Sequence, residues 1–218
     1  MRVVIAGGHG KIALILEKLL ADRGDSVAGL IRNPDHAGDL EAAGAEPVVV
    51  DLENATVDEV AGHLRDADAV VFAAGAGPGS GIERKTTVDR DAAILLADAA
   101  EKAGVHRYLM VSAMGADEPD TGDDEVFTAY LAAKAAADAA VRERSALNTT
   151  IVRPGGLTDD PANDRVRVAE STGRGTIPRA DVAAMLLALL DAPATGGVTF
   201  ELVAGDASIA EAVAVLTP

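Results

Sequence analysis

One stretch near the beginning of the chain decides the fold: residues 3–13 read VVIAGGHGKIA. Its first four residues are the apolar run of a buried strand, and from Lys11 onward the apolar residues recur at the spacing of a helix. Between them, the small residues satisfy G-x-G-x-x-A from Gly8 and G-x-x-G-x-x-A from Gly7. Such a turn lets the backbone approach a pyrophosphate, and the unpaired N–H groups of the following helix face the anion. The pattern predicts a dinucleotide site formed by Gly7, Gly8, His9, Gly10, Lys11 and Ile12. The alternative is a glycine turn that binds nothing.

The rest of the chain alternates short β-type runs with longer alanine-rich helical patterns. Strands are predicted at 3–6, 27–31, 46–50, 69–73, 106–111, 149–153 and 198–203. Helices are predicted at 11–22, 35–43, 57–64, 88–103, 127–144, 180–190 and 209–216. This repeated alternation implies right-handed crossovers, and therefore a Rossmann-type doubly wound parallel sheet of the α/β class. Because no linker interrupts the pattern, we expect one domain over 1–218, in which 155–218 contributes a small cap on the substrate side.

Composition narrows the classes of function. The 218 residues carry a net charge of −16 and show no basic patch, which argues against nucleic acid and against an anionic membrane as partners. No apolar stretch approaches the length of a membrane span and no signal peptide is visible, so the cytoplasm is the expected location. With no cysteine and four scattered histidines, the sequence predicts no metal site. The acidity leaves two origins open, a GC-rich genome or a high-salt cytoplasm.

The residue after the second strand bears on the choice of coenzyme. NAD-binding sites usually carry Asp or Glu there, which accepts a hydrogen bond from the ribose 2′-hydroxyl. Here the position is Arg32, followed by Asn33, and a guanidinium fits a 2′-phosphate in bidentate geometry. With Lys11 as a further positive charge, the sequence favours NADP(H), with NAD(H) as second choice; the alternative is a solvated surface arginine.

Asp51 and Leu52 follow the third strand, where the carboxylate has two open roles, accepting from the adenine amino group or capping the next turn.

A tyrosine and a lysine mark the candidate reaction end. Tyr130 and Lys134 are four residues apart, so they share one face of the predicted helix 127–144. An ammonium beside a phenol is expected to lower the phenol pKa and prepare it for proton transfer, and Lys134 is also a candidate ligand of the nicotinamide ribose. Ser112 ends the fifth strand and is a candidate for polarising a substrate carbonyl. The alternatives are an exposed helix pair for Tyr130 and Lys134, and a turn or helix cap for Ser112.

Two further turns are expected to line the same site. The first follows the fourth strand and should pass the pyrophosphate and ribose of the coenzyme; its residues are Ala74, Gly75 and Ala76. The second ends the sixth strand, where Pro154 and Gly155 should turn the chain across the nicotinamide pocket. Arg153, directly before them, has two interpretations, a substrate ligand or a structural ion pair.

At these residues the chain resembles the atypical short-chain dehydrogenase/reductase family, in the compact NAD(P)-binding branch that includes epimerase/dehydratase-like, NmrA-like and biliverdin-reductase-B-like proteins. The segments that carry the resemblance are 7–13, 73–77, 88–103, 111–117, 130–134, 151–158 and 177–183. The resemblance implies a Rossmann fold, a nicotinamide coenzyme and a Ser–Tyr–Lys site. Two departures stand out. The chain is too short for the sugar-binding domain of extended members, and Met114 stands where those members often carry the serine.

Three functions are compatible with these residues. The favoured one is an enzyme, an NADP(H)-dependent oxidoreductase that acts on a small carbonyl, quinone or flavin-like substrate. The alternatives are a redox sensor that binds NADP(H) without catalysis, and an epimerase or dehydratase with permanently bound NAD, which Arg32 argues against. The sequence identifies neither the substrate nor the oligomeric state, for which a homodimer is one alternative.

Overall fold

The structure is a computed structural model that describes residues 1–77, 79–118, 122 and 124–217. Its strands are β1 Arg2–Ala6, β2 Ser26–Ile31, β3 Glu46–Val49, β4 Ala69–Phe72, β5 Arg107–Val111, β6 Asn148–Pro154, β7 Gly156–Thr158, β8 Arg165–Ala169, β9 Thr176–Pro178, β10 Thr199–Ala204 and β11 Ala207–Ser208. The main sheet has the order β3-β2-β1-β4-β5-β6-β10-β8-β11, and β7 pairs with β9 in a separate small sheet. From β3 to β10 all neighbours are parallel, so the predicted α/β Rossmann-type sheet is confirmed.

Helices connect the parallel strands and cover both faces of the sheet. They are α1 Lys11–Arg23, α2 Ala37–Ala43, α3 Val57–His63, α4 Ile82–Arg84, α5 Ala92–Ala103, α6 Glu125–Arg142, α7 Arg179–Leu190 and α8 Ile209–Leu216. A π-helical segment, Lys85–Asp91, joins α4 to α5, and 3-10 turns lie at Pro34–His36 and Pro193–Thr195. In the described part of the chain, no helix is long and apolar enough to cross a membrane.

The central strand β1 shows how the apolar run builds two cores. Val3 and Ile5 face a cluster that contains α1 and α7, whereas Val4 and Ala6 face a cluster that contains α3, α5 and α6. Since successive side chains of a strand point to opposite faces, one continuous apolar run supplies both layers. All four side chains are fully buried.

The strand order reverses beside β1, because β2 and β4 lie on either side of it. Chain connections leave the sheet in opposite directions at such a point, which opens a crevice at the carboxyl ends of the strands. The turns after β1, β2, β3 and β4 therefore meet at one edge of the sheet, which is the edge that the sequence predicted for the coenzyme.

The segment after Gly155 differs from the predicted cap. Its strand β10 continues the main sheet parallel to β6, and β8 and β11 extend it in antiparallel order. Helix α7 packs on α1, with Val182, Leu186 and Leu189 in the core. Apolar side chains of this segment pack against the core of the main sheet, and the β7–β9 pair forms a separate two-stranded sheet. On this basis we propose that 1–218 forms one domain.

Candidate active site

The glycine turn after β1 has the geometry of a backbone cradle. Gly7 has φ of +81°, and a Cβ atom on it would lie 2.6 Å from the Cα atom of Ala74. The N–H of Gly10 donates to the carbonyl of Gly7 at 2.8 Å and closes the turn. Helix α1 begins at Lys11 without a side-chain cap, so its first N–H groups are directed at the space above the turn. This arrangement fits a pyrophosphate, since any side chain at Gly7 would collide with the neighbouring loop.

A cavity of about 290 Å³ extends from this turn toward β2 and β3. The predicted residues that line it are Gly7, His9, Gly10, Arg32, Asp51, Leu52, Ala74 and Gly75. The other predicted coenzyme-binding residues do not line it; they are Gly8, Lys11, Ile12, Ala76, Lys134, Pro154 and Gly155. Gly8 is buried against Gly29, Ile12 is in the core, and Ala76 is buried beneath its own loop.

Arg32 is half-exposed at the far end of the cavity, and it has a partner that the sequence did not reveal. Its Nη1 lies 2.6 Å from Glu53 Oε2, and the same carboxylate accepts from Arg84 at 3.0 Å and from the Thr87 hydroxyl at 2.6 Å. Partial burial raises the pKa of Glu53, but the bonds from Thr87 and Arg84 outweigh it, and the net shift is downward. An ionised Glu53 therefore holds two guanidiniums at the edge of the cavity.

Two predicted residues have contacts that settle part of their role. Lys11 extends away from Arg32 and pairs with Asp159, which also accepts from Arg179 at 2.6 Å. The expected contribution of Lys11 to the charge around Arg32 is therefore not seen. Asp51 accepts from the N–H of Glu53 at 3.1 Å, so it caps its own turn while it lines the cavity.

At the other end of the cleft, Lys134 is buried beneath the loop that follows β4. Its Nζ donates to the carbonyls of Val111 at 3.2 Å and Ala74 at 3.4 Å, and it lies 3.4 Å from Asp89 Oδ1. Asp89 is fully buried and accepts from the N–H of Ala76 at 3.2 Å. Burial lowers the pKa of Lys134, and the Asp89 carboxylate opposes that shift only in part. The ion pair thus fixes Lys134 to the loop that follows β4, the coenzyme loop.

Tyr130 lies one helical turn before Lys134 on α6, but the expected effect on its acidity is wrong. The Lys134 Nζ is 5.9 Å from the centre of the Tyr130 ring. Burial, followed by the negative charges of Asp89 and Asp138, raises the pKa of the phenol above its ordinary value. The sequence showed the ammonium and not the two buried carboxylates, which is why it predicted the opposite direction. The acid form of Tyr130 therefore dominates at neutral pH, and its raised pKa makes it a weaker acid than an ordinary phenol.

Ser112 directly follows β5 and is 3% exposed. Among the described residues its Oγ makes no hydrogen bond of normal geometry, although it is close enough to Asp138 to oppose the rise that burial causes in the pKa of that carboxyl. Asp138 is fully buried one turn after Lys134 and pairs with Arg153 at 2.8 Å. Arg153 also pairs with Asp117, so of its two interpretations the structure shows the ion pair.

The turn after β6 is a close backbone approach. The carbonyl of Pro154 accepts from the N–H of Met114 at 3.1 Å. A Cβ atom on Gly155 would lie 2.4 Å from the carbonyl oxygen of Gly175. Gly155 therefore allows the chain to pass the segment before β9, and the turn joins the ends of β5 and β6 beside Ser112.

Comparisons with known proteins match this geometry. A family model described as NAD(P)H-binding matches residues 7–193. The chain is 38% identical over 213 residues to the "Uncharacterized sugar epimerase YhfK" of Bacillus subtilis, covering 97% of this chain and 98% of that protein. It superimposes on the "Putative NAD-dependent epimerase/dehydratase from Bacillus halodurans" with a TM-score of 0.91 and 37% identity, covering 99% of each chain. For the anaerobilin reductase ChuY of Escherichia coli the TM-score is 0.77 and the identity 26%, covering 95% of this chain and 99% of that one.

The chain belongs to the NAD(P)H-binding family. The resemblance to the atypical short-chain dehydrogenase/reductase branch is thereby confirmed, and the coenzyme of the family is NADP(H) or NAD(H). Members of this oxidoreductase and epimerase-like family share the fold described above, which includes the crevice beside β1.

Several residues that contact the predicted site residues were missed by the sequence analysis. They are Glu53, Arg84, Lys85, Asp89 and Asp138. A usable signal existed for Asp89, which shares the helical stripe of Ala93, Leu96 and Ala100 and so places a carboxylate on an apolar face. For Glu53 and Arg84 there was none, because the two residues meet only when the turn after β3 reaches the start of α4.

Proposed function

We propose that the protein is an NADP(H)-dependent oxidoreductase that reduces a small carbonyl, quinone or flavin-like acceptor. One observation carries the proposal: the Lys134–Asp89 ion pair bonds directly to the backbone of the coenzyme loop at Ala74 and Ala76, and Tyr130 lies beside it. A proton donor is thus fixed relative to the coenzyme by buried contacts.

The residues divide the chemistry between them. When bound, the reduced coenzyme supplies a hydride. Tyr130 donates its phenolic proton to the oxygen of a carbonyl or quinone, or to a ring nitrogen of a flavin, and this proton balances the hydride that the acceptor takes up. Lys134 holds the loop that passes the nicotinamide ribose, and Ser112, whose hydroxyl is free of a normal hydrogen bond among the described residues, donates to the same acceptor atom.

Two aromatic rings support a flat acceptor. Phe127 is 45% exposed and stacks on Tyr130 with ring centres 5.8 Å apart. The chain has only five aromatic residues, three Phe and two Tyr, so an exposed phenylalanine ring stacked on the proton donor is best explained by contact with a ligand. Quinones and flavins offer the matching planar face. We expect Phe127→Ala to weaken the binding of flat acceptors more than the binding of open-chain carbonyls. Val126 is also exposed, so Val126→Ala is the matched control.

An acceptor screen tests the proposal. NADPH and NADH are each mixed with quinones, flavins and small carbonyls, and coenzyme oxidation is followed by its absorbance. The proposal predicts NADPH oxidation with at least one acceptor. Tight NADPH binding without turnover on any acceptor would favour the sensor.

The names of the relatives favour one further candidate, an epimerase that retains NAD. That activity needs a coenzyme that is reduced and reoxidised without leaving. It predicts that NAD copurifies with the protein and that the nucleotide content survives extensive dialysis. Arg32 and Arg84 at the end of the cavity support NADP(H) instead.

A further inference from the structure

A second lysine lies at the Tyr130 ring, and the proton transfer proposed above does not use it. The Nζ atom of Lys85 is 5.4 Å from the centre of the ring, compared with 5.9 Å for the Nζ atom of Lys134. Lys85 begins the π-helical segment and is 8% exposed, and its Nζ donates to the carbonyl of Gly77 at 3.0 Å. Lys85 therefore links the ring of the proton donor to the coenzyme loop.

The two ammonium groups differ in what neutralises them. Lys134 lies 3.4 Å from the Asp89 carboxylate and also donates to two carbonyls. Within the described ranges of the chain, Lys85 has no carboxylate at ion-pair distance, and its one hydrogen-bond acceptor is the carbonyl of Gly77. Burial is the main cause that lowers the pKa of Lys134, and the charge of Lys85 lowers it further, so that charge acts across the site. Lys85 thus supplies a positive charge beside the ring that no carboxylate of the described chain cancels.

Proton donation places a negative charge on Tyr130. The phenolate oxygen carries this charge until solvent returns a proton, and burial opposes it, followed by the carboxylates of Asp89 and Asp138, which is why the pKa of the phenol is raised. Each of the two carboxylates is paired with a cation of its own, which weakens its repulsion of the phenolate. The Lys85 ammonium attracts the phenolate, and the attraction is stronger in a buried site than in water. Since the net effect on the phenol pKa is upward, Lys85 limits the rise without reversing it.

We propose that Lys85 is a positioning residue for Tyr130, which holds the ring at the coenzyme loop through Gly77 and favours the loss of the phenolic proton through its unpaired charge. Lys85 and Asp89 are both buried in the π-helical segment. The first holds the coenzyme loop at Gly77 and the second holds it at Ala76. The inference rests on the proposed function, in which Tyr130 is the proton donor, and it adds a residue that helps a weakly acidic phenol to release its proton.

The first test measures the effect of the Lys85 charge on the phenol, without coenzyme or acceptor. Tetrafluorotyrosine, whose phenol is much more acidic than that of tyrosine, replaces Tyr130, and fluorine NMR follows its ionisation with pH. Lys85→Met keeps the length of the side chain and removes the charge, so the midpoint of the titration should lie about one pH unit higher than with Lys85 present. Lys85→Arg keeps the charge and should leave the midpoint nearly unchanged.

Lys102→Met is the matched control, because Lys102 is exposed and pairs with Asp58 on α3. It should leave the midpoint where it is. An unchanged midpoint in Lys85→Met would overturn the inference, and so would an equal rise in Lys102→Met. An equal rise in Lys85→Met and Lys85→Arg would also overturn it, since the shape of the loop and not the charge would then set the acidity of the phenol.

The second test measures turnover of NADPH with an acceptor that the screen identifies. Lys85→Met should lower kcat by about tenfold and change KM for NADPH by about twofold or less, and its solvent deuterium isotope effect should be larger because proton transfer becomes slower. An unchanged kcat in Lys85→Met would overturn the inference. A raised midpoint in Lys85→Met, with no turnover by the wild type on any acceptor, would overturn the proposed function and leave the action of Lys85 on Tyr130 standing.

Discussion

The two ends of the coenzyme cleft hold their charged groups in opposite ways. The adenosine end is the end of the cavity beside β2 and β3. There, the side chain of Arg32 is 55% exposed, and Arg32 shares the Glu53 carboxylate with Arg84. At the reaction end, Lys134 and Asp89 are 4% and 0% exposed at the side chain. An exposed pair can exchange its partner for a ligand at little cost, whereas a buried pair is fixed because separating it leaves an uncompensated charge. The first end is suited to select a ligand and the second to hold a reacting group in place.

Removing one charge from each pair should show the largest difference. Asp89→Asn leaves Lys134 with only carbonyl partners, so we expect the free energy of unfolding to fall by about 3 kcal/mol. Glu53→Gln at the exposed end should lower the free energy of unfolding by about 1 kcal/mol or less. Denaturant unfolding of the two variants at pH 7 measures both. Equal losses would contradict the contrast between the two ends.

A buried carboxyl near the glycine turn tests whether buried ionisable groups are confined to the reaction end. Glu17 on α1 is fully buried against Gly8 and Gly29, neither of its side-chain oxygens has a partner among the described residues, and burial raises its pKa to about 8. The folded state then binds a proton that the unfolded state releases above about pH 4.5, so this group's stabilising effect is full below that pH and is lost as the pH rises through 8.

Glu17→Gln should therefore be more stable than the wild type by about 3 kcal/mol at pH 9 and nearly equal to it at pH 4.5. Thermal or denaturant unfolding across this range measures the difference. Glu59→Gln, on the exposed side of α3, is the control and should show no such trend. A flat difference between Glu17→Gln and the wild type would mean that Glu17 is ionised in the folded protein.

At the reaction end, Tyr130→Phe keeps the ring and removes the proton. We expect turnover with NADPH to fall by at least about a hundredfold, while NADPH binding changes little. Tyr108→Phe is the control, because that hydroxyl is buried and bonds to the carbonyl of Ala93 at 3.0 Å, away from the cleft. Unchanged turnover in Tyr130→Phe would remove the tyrosine from the reaction.

At the adenosine end, Arg32→Gln should weaken NADPH binding by about tenfold and leave NADH binding nearly unchanged, since only the former carries the 2′-phosphate. Arg90→Gln is the control, as Arg90 is exposed and pairs with its neighbour Asp91. An equal loss for both coenzymes would show that Arg32 supports the shape of the cavity and not the choice of ligand.

The contrast also explains which parts of the molecule the sequence could predict. The apolar run before Gly7 and the helical spacing after it predicted β1, α1 and the turn between them, because these features depend on neighbours in sequence. The exposed Arg32 was predicted for the same reason, as it directly follows a strand. The turns at the strand ends were placed correctly once the sheet was assumed to be parallel.

What the sequence could not predict depends on tertiary packing. The raised pKa of Tyr130 comes from its burial, followed by the charges of Asp89 and Asp138, and the sequence did not show that these groups surround the phenol. Asp89 belongs to the π-helical segment Lys85–Asp91, whose wide turns were not predicted. The predicted helix at 88–103 therefore began too late, since helical structure starts at Ile82. Likewise, β8 pairs with β10 only in the folded chain, and a strand as short as β8 carries little pattern of its own.

Calorimetric titration of the protein with NADPH and with NADH tests the central claim most directly, because the cradle at Gly7 and the cations at the cavity end both contribute to it. We predict that both coenzymes bind at one site per chain and that NADPH binds at least about tenfold more tightly at pH 6.5. No heat with either coenzyme, or tighter binding of NADH, would contradict the account.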